Sequence, residues 1–491
     1  MAPLGAAADG KLGKTPILDR TVADLRSGLR ARLQLQSPVI VSGHQTEFFH
    51  AGVFAKNIAV ERLSKAHGGS ALFLTVDSDQ LRHSELIVPQ TTSAGIRRVA
   101  VPFSDEPREL ACEWRRPQPR EHWLDFFTRV GSLIDDYDQT LMRPFSTGWL
   151  ADDDPLDFRT AMTRGVGAVE RELGLESARE LRISEMSATP EFLAFAAHLL
   201  LNAGEFARCY NDAQRGYRQR FRIRSSLKPV PLLETSAERS ELPFWLSRAG
   251  GPRCRLYAST HGDTIDVYAD QELAGRFPRA ALLRVDAIGE GWAEPLDGWH
   301  IRPRALTLTC FARLFLADLF IHGIGGGRYD AMTDDFTARF FGIDLPPIAC
   351  VTATMHLALP RSGVDRDAVL AARRAGRDVR FNPQRHLDQI PPEMLNERDE
   401  LVRRSRSLRE TAPGNHAERR EVFSAIRATN DRMLDIEPWR AGELDRKAQQ
   451  LEQEAARDQI TLDREYFFAL HRKSDMQRLI AEIHESLGLA K

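Results

Sequence analysis

Three short apolar runs, each bounded by small or polar residues, set the hydrophobic pattern of this chain. They cover residues 38–42, 71–76 and 318–323. Apolar runs of this length, bounded by turn-forming residues, are typical of buried β-strands. An apolar repeat of helical spacing follows the first run, opens at Gly52 and contains Val53, Phe54, Ile58, Val60 and Leu63. The pattern therefore predicts an α/β fold in which the three runs are parallel strands of one sheet.

The segment between the first predicted strand and its helix concentrates polar side chains. Gly43 permits a tight turn there, and His44, Gln45 and His50 follow before the helix begins. Open α/β sheets bind ligands at the carboxyl ends of their strands, and helix N-termini attract phosphate, so we predict a nucleotide cradle at this turn. The alternative is that these histidines only cap the helix or contact water.

Two carboxylates follow the second predicted strand. Asp77 and Asp79 come directly after it, and His83 lies a short distance further along. In a parallel sheet they would face the same crevice as His44. We interpret them as groups that fix a ribose, an amine or a metal, with His83 as a substrate contact. A pair of N-capping residues at a turn is the alternative.

A glycine-rich segment follows the third predicted strand. Because adjacent glycines carry a large penalty inside a helix, we predict a loop here that lets a ligand approach the backbone. A plain tight turn is the alternative. The candidate binding residues of this segment are His322, Gly325, Gly326, Gly327, Arg328 and Asp330.

The region between the second and third strands is predicted to be an insertion. Helical periodicity covers residues 123–134, 158–173 and 192–206, and residues 253–270 alternate around a Gly-Asp turn as a β-hairpin does. The segment ELPFWL at residues 241–246 either lines a substrate pocket or forms a packed helix end.

A run of arginines follows the helical part of this insertion. Arg215, Arg218 and Arg222 are spaced so that they share one face of a helix. We predict that Arg218 and Arg222 form a clamp for a phosphate or carboxylate of the substrate, because guanidinium groups pair bidentately with such anions. A solvated charged face is the alternative.

Four segments organise the chain. Residues 366–491 are predicted to form a helical arm, with a coiled coil as the alternative. We expect two copies of the chain to form a homodimer through this arm. We also expect that cutting the chain near residue 392 leaves the crevice intact. The four segments are 1–115 (first half of a Rossmann-like core), 116–300 (helical and antiparallel β insertion), 301–365 (second half of the core) and 366–491 (arm).

Two resemblances extend these predictions. The tripeptide His50-Ala51-Gly52 is similar to the start of the H-x-G-H element of class I aminoacyl-tRNA synthetases and nucleotidyltransferases, although Val53 replaces its second histidine. Residues 35–360 resemble the cysteine-adding enzymes of bacillithiol biosynthesis. That family has a G-Q-Q loop, an acidic stretch, a late R-P segment and a Gly-Gly loop, which correspond here to Gly43-His44-Gln45, Asp77-Ser78-Asp79, Arg302-Pro303 and Gly325-Gly326.

The resemblance implies a Rossmann-like parallel sheet of the class I synthetase type and a ligase that joins an amino acid, cysteine in the family, to an amine-bearing metabolite. ATP or ADP is the implied cofactor. The departures, His44 for the first glutamine and the shortened acidic stretch, indicate a different substrate. The implied catalytic residues are His44, His50, Asp77 and Asp79, and Gly43, Gln45 and Gly52 join the cofactor-binding set.

Two other classes of function compete with the ligase. In a divalent-metal-dependent hydrolase, His44, His50, Asp77, Asp79 and His83 would ligate the ion. A non-catalytic scaffold on the same fold would use the helical arm as its working surface.

The composition narrows the class of protein. The chain has 491 residues, 42% of them hydrophobic and 28% charged, and a formal net charge of −2. We expect a globular enzyme that acts on small molecules and binds neither nucleic acid nor membrane, because bulk positive charge and a spanning apolar run are both missing. Five dispersed cysteines without a C-x-x-C pair favour the reducing cytoplasm.

Overall fold

The structure, a computed structural model, describes residues 10–93, 95–151, 154–225 and 230–489. The strands, numbered in chain order, are β1 (Pro16–Ile17), β2 (Arg20–Thr21), β3 (Val39–Gln45), β4 (Ser70–Val76), β5 (Glu85–Thr92), β6 (Gly95–Pro102), β7 (Arg179–Arg182), β8 (Ser240–Ser247), β9 (Cys254–His261), β10 (Thr264–Ala269), β11 (Glu272–Pro278), β12 (His300–Pro303), β13 (Leu319–His322) and β14 (Ile348–Cys350).

The α-helices, numbered in the same way, are α1 (Val22–Arg32), α2 (Ala51–Ala66), α3 (Arg120–Gly131), α4 (Met142–Trp149), α5 (Phe158–Glu172), α6 (Ile183–Met186), α7 (Pro190–Leu201), α8 (Ala203–Arg220), α9 (Val285–Gly291), α10 (Ala293–Leu296), α11 (Ala305–Phe315), α12 (Ile324–Phe341), α13 (Arg366–Phe381), α14 (Pro392–Thr411), α15 (His416–Leu434), α16 (Pro438–Thr461) and α17 (Lys473–Ser486).

A parallel five-stranded sheet confirms the α/β prediction. Its order is β14-β13-β3-β4-β7, and every neighbouring pair runs parallel. The three predicted strands are therefore confirmed as parallel strands of one sheet, in which β3 lies between β13 and β4. Val39, Ile40 and Val41 of β3 are fully buried, as expected for a central strand that is covered on both faces. The continuous apolar run, rather than an alternating one, is the sequence signal of that position.

A second, antiparallel sheet has the order β11-β10-β9-β8-β12. The predicted hairpin is confirmed as β9 and β10, which turn at Gly262. The segment 241–246 is not a helix end but lies within β8. Leu242, Phe244 and Leu246 alternate into the core there, while β9 and β12 supply the backbone partners. The segment is buried on both faces as a central strand of the sheet, which overturns the helical interpretation.

The glycine-rich segment is a helix rather than the predicted loop. Gly325, Gly326 and Gly327 form the first turn of α12. Each costs roughly 1 kcal/mol relative to alanine in a helix. Close packing explains two of them, because a Cβ on Gly326 would lie 2.7 Å from His322 Nδ1 and a Cβ on Gly327 only 2.1 Å from Cys350 Sγ.

The chain divides into two compact units. The described parts of Met1–Val88, Val99–Leu357 and Arg464–Lys491 form the first, which contains both five-stranded sheets. The second consists of Pro89–Arg98 and Ala358–Asp463. Within this second unit α13 packs on α16 and α14 on α15. None of the described helices is both long and apolar enough to cross a membrane.

The end of the chain belongs to the first unit. There α17 packs on α2, and the segment before α17 inserts two phenylalanine rings into an aromatic core. The Phe468 ring centroid lies 4.4 Å from that of Phe54, and the Phe467 centroid lies 5.0 Å from that of Phe48. The expectation that a cut near residue 392 leaves the crevice intact is therefore corrected, because the cut removes part of this core.

Candidate functional site

The candidate site lies at the carboxyl edge of the parallel sheet. From β3 the chain adds β4 and then β7 on one side, whereas β13 and β14 lie on the other. The strand order thus reverses between β3 and β13, and ligands of open α/β sheets bind at such switch points. His44 and Gln45 end β3, His322 ends β13, and the helices that follow, α2 and α12, both begin at this edge.

His44 is held by a carboxylate that the sequence analysis missed. Its Nε2 lies 3.0 Å from Glu47 Oε1. Burial lowers the pKa of His44 to about 4, although the bond to Glu47 opposes the shift, so the ring is neutral at pH 7. The carboxylate favours the tautomer with its proton on Nε2, which leaves Nδ1 as a proton acceptor. The spacing of His44 and Glu47 in the chain is the only sequence signal of this pair.

Lys56 is the second residue that was missed. Its Nζ donates to the carbonyl oxygen of Gly43 over 2.6 Å, and the residue is only 6% exposed. Burial lowers the pKa of Lys56 to about 8. A single lysine in the apolar segment 53–60 could have drawn attention to it. The ammonium group places positive charge directly behind the end of β3.

The N-terminus of α2 is closed by the chain itself. His50 is its N-cap, and His50 Nδ1 accepts the Gly52 N–H over 3.0 Å. A Cβ on Gly52 would lie 2.5 Å from the carbonyl oxygen of Ala353, in the segment after β14. The geometry therefore favours the capping alternative for His50. The space next to Gly52, where a nucleotide was expected, is filled by the backbone of the segment after β14.

Asp77 has a structural role in place of the predicted contact with a substrate amine. The side chain is fully buried. Its oxygens accept the Ser184 N–H over 2.9 Å, the Ser184 hydroxyl over 2.5 Å and the Arg159 guanidinium over 3.3 Å. Asp77 thereby ties the end of β4 to α6, which follows β7, and is not accessible at the protein surface.

Asp79 is the accessible carboxylate of the pair, with its side chain 34% exposed. Its Oδ2 accepts from Gln45 Nε2 over 3.3 Å, and its Oδ1 accepts from Arg253 Nη1 over 2.6 Å. The guanidinium of Arg253 in turn lies 5.0 Å from the ring centroid of Trp245. The structure thus brings together Gln45 and Asp79, which were predicted from two different strands, and adds an arginine that was not predicted.

The N-terminus of α12 is open. Its N-cap is Gly323, and no side chain in the described ranges caps it. Ile324, Gly325 and Gly326 are exposed, and a Cβ on Gly325 would meet nothing within 4 Å. The first N–H groups of a helix have no intrahelical partners and carry the positive end of its dipole, so this turn can bind an anion. Arg328 is exposed in the following turn.

Asp330 is buried beneath this turn and not exposed at the sheet edge, which corrects its predicted substrate contact. The residue is 1% exposed. Its Oδ2 accepts from Arg313 Nη1 over 2.7 Å and lies 3.2 Å from His322 Nε2. Asp330 therefore binds the side chains of Arg313 and His322 inside the protein, where a substrate cannot reach it.

The predicted arginine clamp is not formed by one helix face. Helix α8 ends at Arg220, and Arg222 lies beyond it with a φ of 51°, which turns the chain away from the helical path. Arg218 Nη2 donates to the carbonyl oxygen of Val230 over 2.9 Å, and Arg215 pairs with Asp212. His83, another predicted substrate contact, is exposed after β4.

The described residues offer no ligand set for a metal centre. Within the described residues, no group of three or more histidine, cysteine, aspartate or glutamate side chains is arranged to hold an ion. The hydrolase alternative depends on His44, His50, Asp77 and Asp79 acting together, and all four already have the protein partners given above. Comparison with known proteins finds neither a family model nor a curated protein that matches this chain.

Proposed function

We propose that this protein is a ligase that binds ATP or ADP at the switch point and joins an amino acid, with cysteine as the first candidate, to an amine-bearing small metabolite. The observation that carries the proposal is the open N-terminus of α12 beside the ends of β3 and β13. The Rossmann-like class I synthetase architecture belongs to the same proposal, and the parallel sheet with its reversal between β3 and β13 supports it.

The residues at this turn fit a polyphosphate. The backbone N–H groups of Ile324, Gly325 and Gly326 would hold phosphate oxygens, and Gly325 leaves room for their approach. The exposed guanidinium of Arg328 would neutralise further charge. A bound nucleotide supplies the free energy to activate the carboxyl group of the amino acid. The phosphate contact is thereby assigned to α12 and not, as the sequence suggested, to His50 and α2.

The opposite side of the switch point has polar groups for both amines of this reaction, the amino group of the amino acid and the attacking amine of the metabolite. Asp79 would hold the amino group of the incoming amino acid by a charge-assisted bond from its exposed edge. His44, neutral and with Nδ1 free of the bond to Glu47, would take the proton that the attacking amine loses. Glu47 keeps the ring in the orientation that this transfer needs.

Two variants of one residue test the phosphate contact. Ile324→Pro removes the first N–H of α12, and the fold accepts proline there because Gly323 before it is extended (φ −78°, ψ 170°). Ile324→Ala keeps the N–H and removes a similar amount of exposed side chain. We expect calorimetry with Mg-ATP to show about tenfold weaker binding for Ile324→Pro, the loss of one charge-assisted hydrogen bond, and unchanged binding for Ile324→Ala.

Turnover tests the reaction class. The protein is incubated with ATP, each of the common amino acids and a set of amino sugars and other amines, and release of phosphate, ADP or AMP is measured. A nucleotide product that appears only with one amino acid and one amine supports the ligase. If the wild type binds no nucleotide at millimolar concentration, the proposal fails and the scaffold alternative takes its place.

A further inference from the structure

Cys350 and His322 lie side by side at the ends of two neighbouring strands. Cys350 is the last residue of β14, His322 is the last residue of β13, and the two are direct partners in the parallel register. Register partners on adjacent parallel strands project their side chains from the same face of the sheet. Cys350 is exposed, whereas the His322 side chain is 11% exposed. The function proposed above uses neither side chain.

The first turn of α12 is pressed against both residues. A Cβ on Gly327 would lie 2.1 Å from Cys350 Sγ and 3.7 Å from His322 Cβ, and a Cβ on Gly326 would lie 2.7 Å from His322 Nδ1. A side chain at either glycine would therefore displace the thiol or the imidazole, while Gly325 next to them has open space. The sulfur atom thus lies against the backbone at the positive end of an 18-residue helix.

A buried carboxylate stands behind the imidazole. His322 Nε2 lies 3.2 Å from Asp330 Oδ2, and the same oxygen accepts from Arg313 over 2.7 Å. Neither His322 Nε2 nor Asp330 Oδ1 has an aligned hydrogen bond within the described residues, although both atoms are buried. A carboxylate at this position favours the tautomer with the proton on Nε2 and leaves Nδ1, on the side of the glycine turn, as the acceptor.

We propose that Cys350 is a nucleophilic cysteine that accepts an acyl group, with His322 as its proton acceptor and Asp330 as the residue that positions His322. A nucleophile beside a base that a third group orients is the arrangement that covalent catalysis requires. The S–H bond breaks and its proton passes to His322 Nδ1, while the sulfur forms a bond to the carbonyl carbon of an activated acyl compound. The leaving group departs with the bonding electrons and takes the proton from His322, so the products are a thioester on Cys350 and the protonated leaving group.

The substrate class is an acyl group on a good leaving group, an activated ester or a thioester. The backbone N–H groups of Ile324 and Gly325 can stabilise the negative oxygen that forms as the sulfur attacks, since a helix N-terminus supplies fixed donors. The N–H groups of Ile324 and Gly325 are also assigned to phosphate in the function proposed above, but the acyl transfer itself requires no nucleotide.

The test uses p-nitrophenyl acetate with the full chain at pH 7 and no nucleotide. Release of p-nitrophenolate gives the rate, and peptide mass spectrometry locates the acetyl group. We expect one acetyl group on Cys350, formed at least about tenfold faster than on N-acetylcysteine, because only a few per cent of a free thiol is ionised at this pH. Cys209 and Cys254, which are partly exposed, are internal controls and should remain unmodified.

His322→Gln should lower the rate to that of N-acetylcysteine while Cys350→Ser abolishes acetylation, and thermal melts check that both variants fold. An unchanged rate in folded His322→Gln overturns the proposal. So does a wild-type rate no higher than that of N-acetylcysteine, and this second comparison needs no variant. Because no nucleotide is present, a failure of ATP binding leaves the result unaffected.

Discussion

The N-termini of α2 and α12 occupy equivalent positions, yet one is closed and the other is open. Both helices follow neighbouring strands of the parallel sheet, both begin at the switch point, and both have glycine as their second residue, Gly52 and Gly325. The side chain of His50 caps α2 and the Ala353 carbonyl packs on Gly52, whereas α12 has neither kind of contact within the described residues. The topology therefore supplies two candidate anion sites, and local capping decides which of them a ligand can reach.

Two distant segments close the α2 side. Residues after β14 place the Ala353 carbonyl on Gly52, and the end of the chain places Phe468 on Phe54 and its N–H on the carbonyl oxygen of Phe49 over 2.9 Å. Contacts of such high sequence separation leave no local signal, so the histidine-glycine tripeptide alone does not show that the N-terminus of α2 is closed by other parts of the chain.

The largest expected effect comes from removing the aromatic contact on the closed side. Phe468 is fully buried and stacked on Phe54, so Phe468→Ala should lower the free energy of unfolding by about 3 to 5 kcal/mol. The control is Phe423→Ala in the second unit, where the side chain is 53% exposed and the expected change is within about 0.5 kcal/mol. Urea unfolding followed by circular dichroism measures both. Equal effects would mean that the chain end does not hold α2.

A matched pair of glycine substitutions compares the two helix ends directly. In Gly52→Ala the new Cβ lies 2.5 Å from a backbone oxygen, and we expect a loss of about 1 to 3 kcal/mol by overpacking. In Gly325→Ala the Cβ meets nothing within 4 Å, and alanine should stabilise the helix by about 0.5 to 1 kcal/mol. The changes in unfolding free energy should therefore have opposite signs. The same sign at both positions would contradict the distinction between a closed and an open end.

Sequence reasoning predicted the sheet better than the site. The strands around Val41, Leu74 and Ile321 were predictable because each is a short apolar run with polar boundaries, and burial on both faces makes such runs continuous. The glycine segment was predicted as a loop because helix propensity is a local quantity. The contacts that outweigh it there, with His322 and Cys350, are tertiary.

The chemistry of the site was less predictable for the same reason. Asp77 and Asp79 are identical in type and adjacent in pattern, but only the bonds from Ser184 and Arg159 make the first of them structural. Glu47 and Lys56 acquire their roles through a single contact each, with His44 and with the Gly43 carbonyl. A pattern of residue types does not show which side chains are already satisfied inside the protein.

The buried histidine at the end of β3, His44, should make the free energy of unfolding depend on pH. The pKa of His44 is about 4 in the folded protein and about 6.5 in the unfolded chain, so unfolding takes up a proton between these values. Stability from this residue is complete above pH 6.5 and falls as the pH drops, by up to roughly 2 kcal/mol at pH 5. Urea unfolding at pH 7 and pH 5 should show this loss in the wild type and not in His44→Gln.

The contributions of other buried histidines to that comparison cancel, since His198 and His471 are present in both proteins. In the wild type Glu47 adds little at pH 5, because the hydrogen bond from His44 keeps its pKa below the ordinary glutamate value against the effect of burial; in His44→Gln the amide N–H can donate to Glu47 in place of the ring. Identical pH dependence in the wild type and His44→Gln would show that the ring is not held neutral.

The smallest expected effect distinguishes a cap from a phosphate ligand at His50. His50→Ala removes the acceptor for the Gly52 N–H and should cost about 1 kcal/mol of stability, the usual loss of an N-cap. His50→Asn should restore most of it, because asparagine is among the best N-cap residues. Neither variant should change ATP affinity by more than about twofold if phosphate binds at α12, since twofold is only about 0.4 kcal/mol. Calorimetry and urea unfolding on the two variants give both quantities. A tenfold loss of ATP affinity in His50→Ala that His50→Asn leaves unrepaired would return the phosphate site to α2, and the assignment of the open helix end would have to be given up.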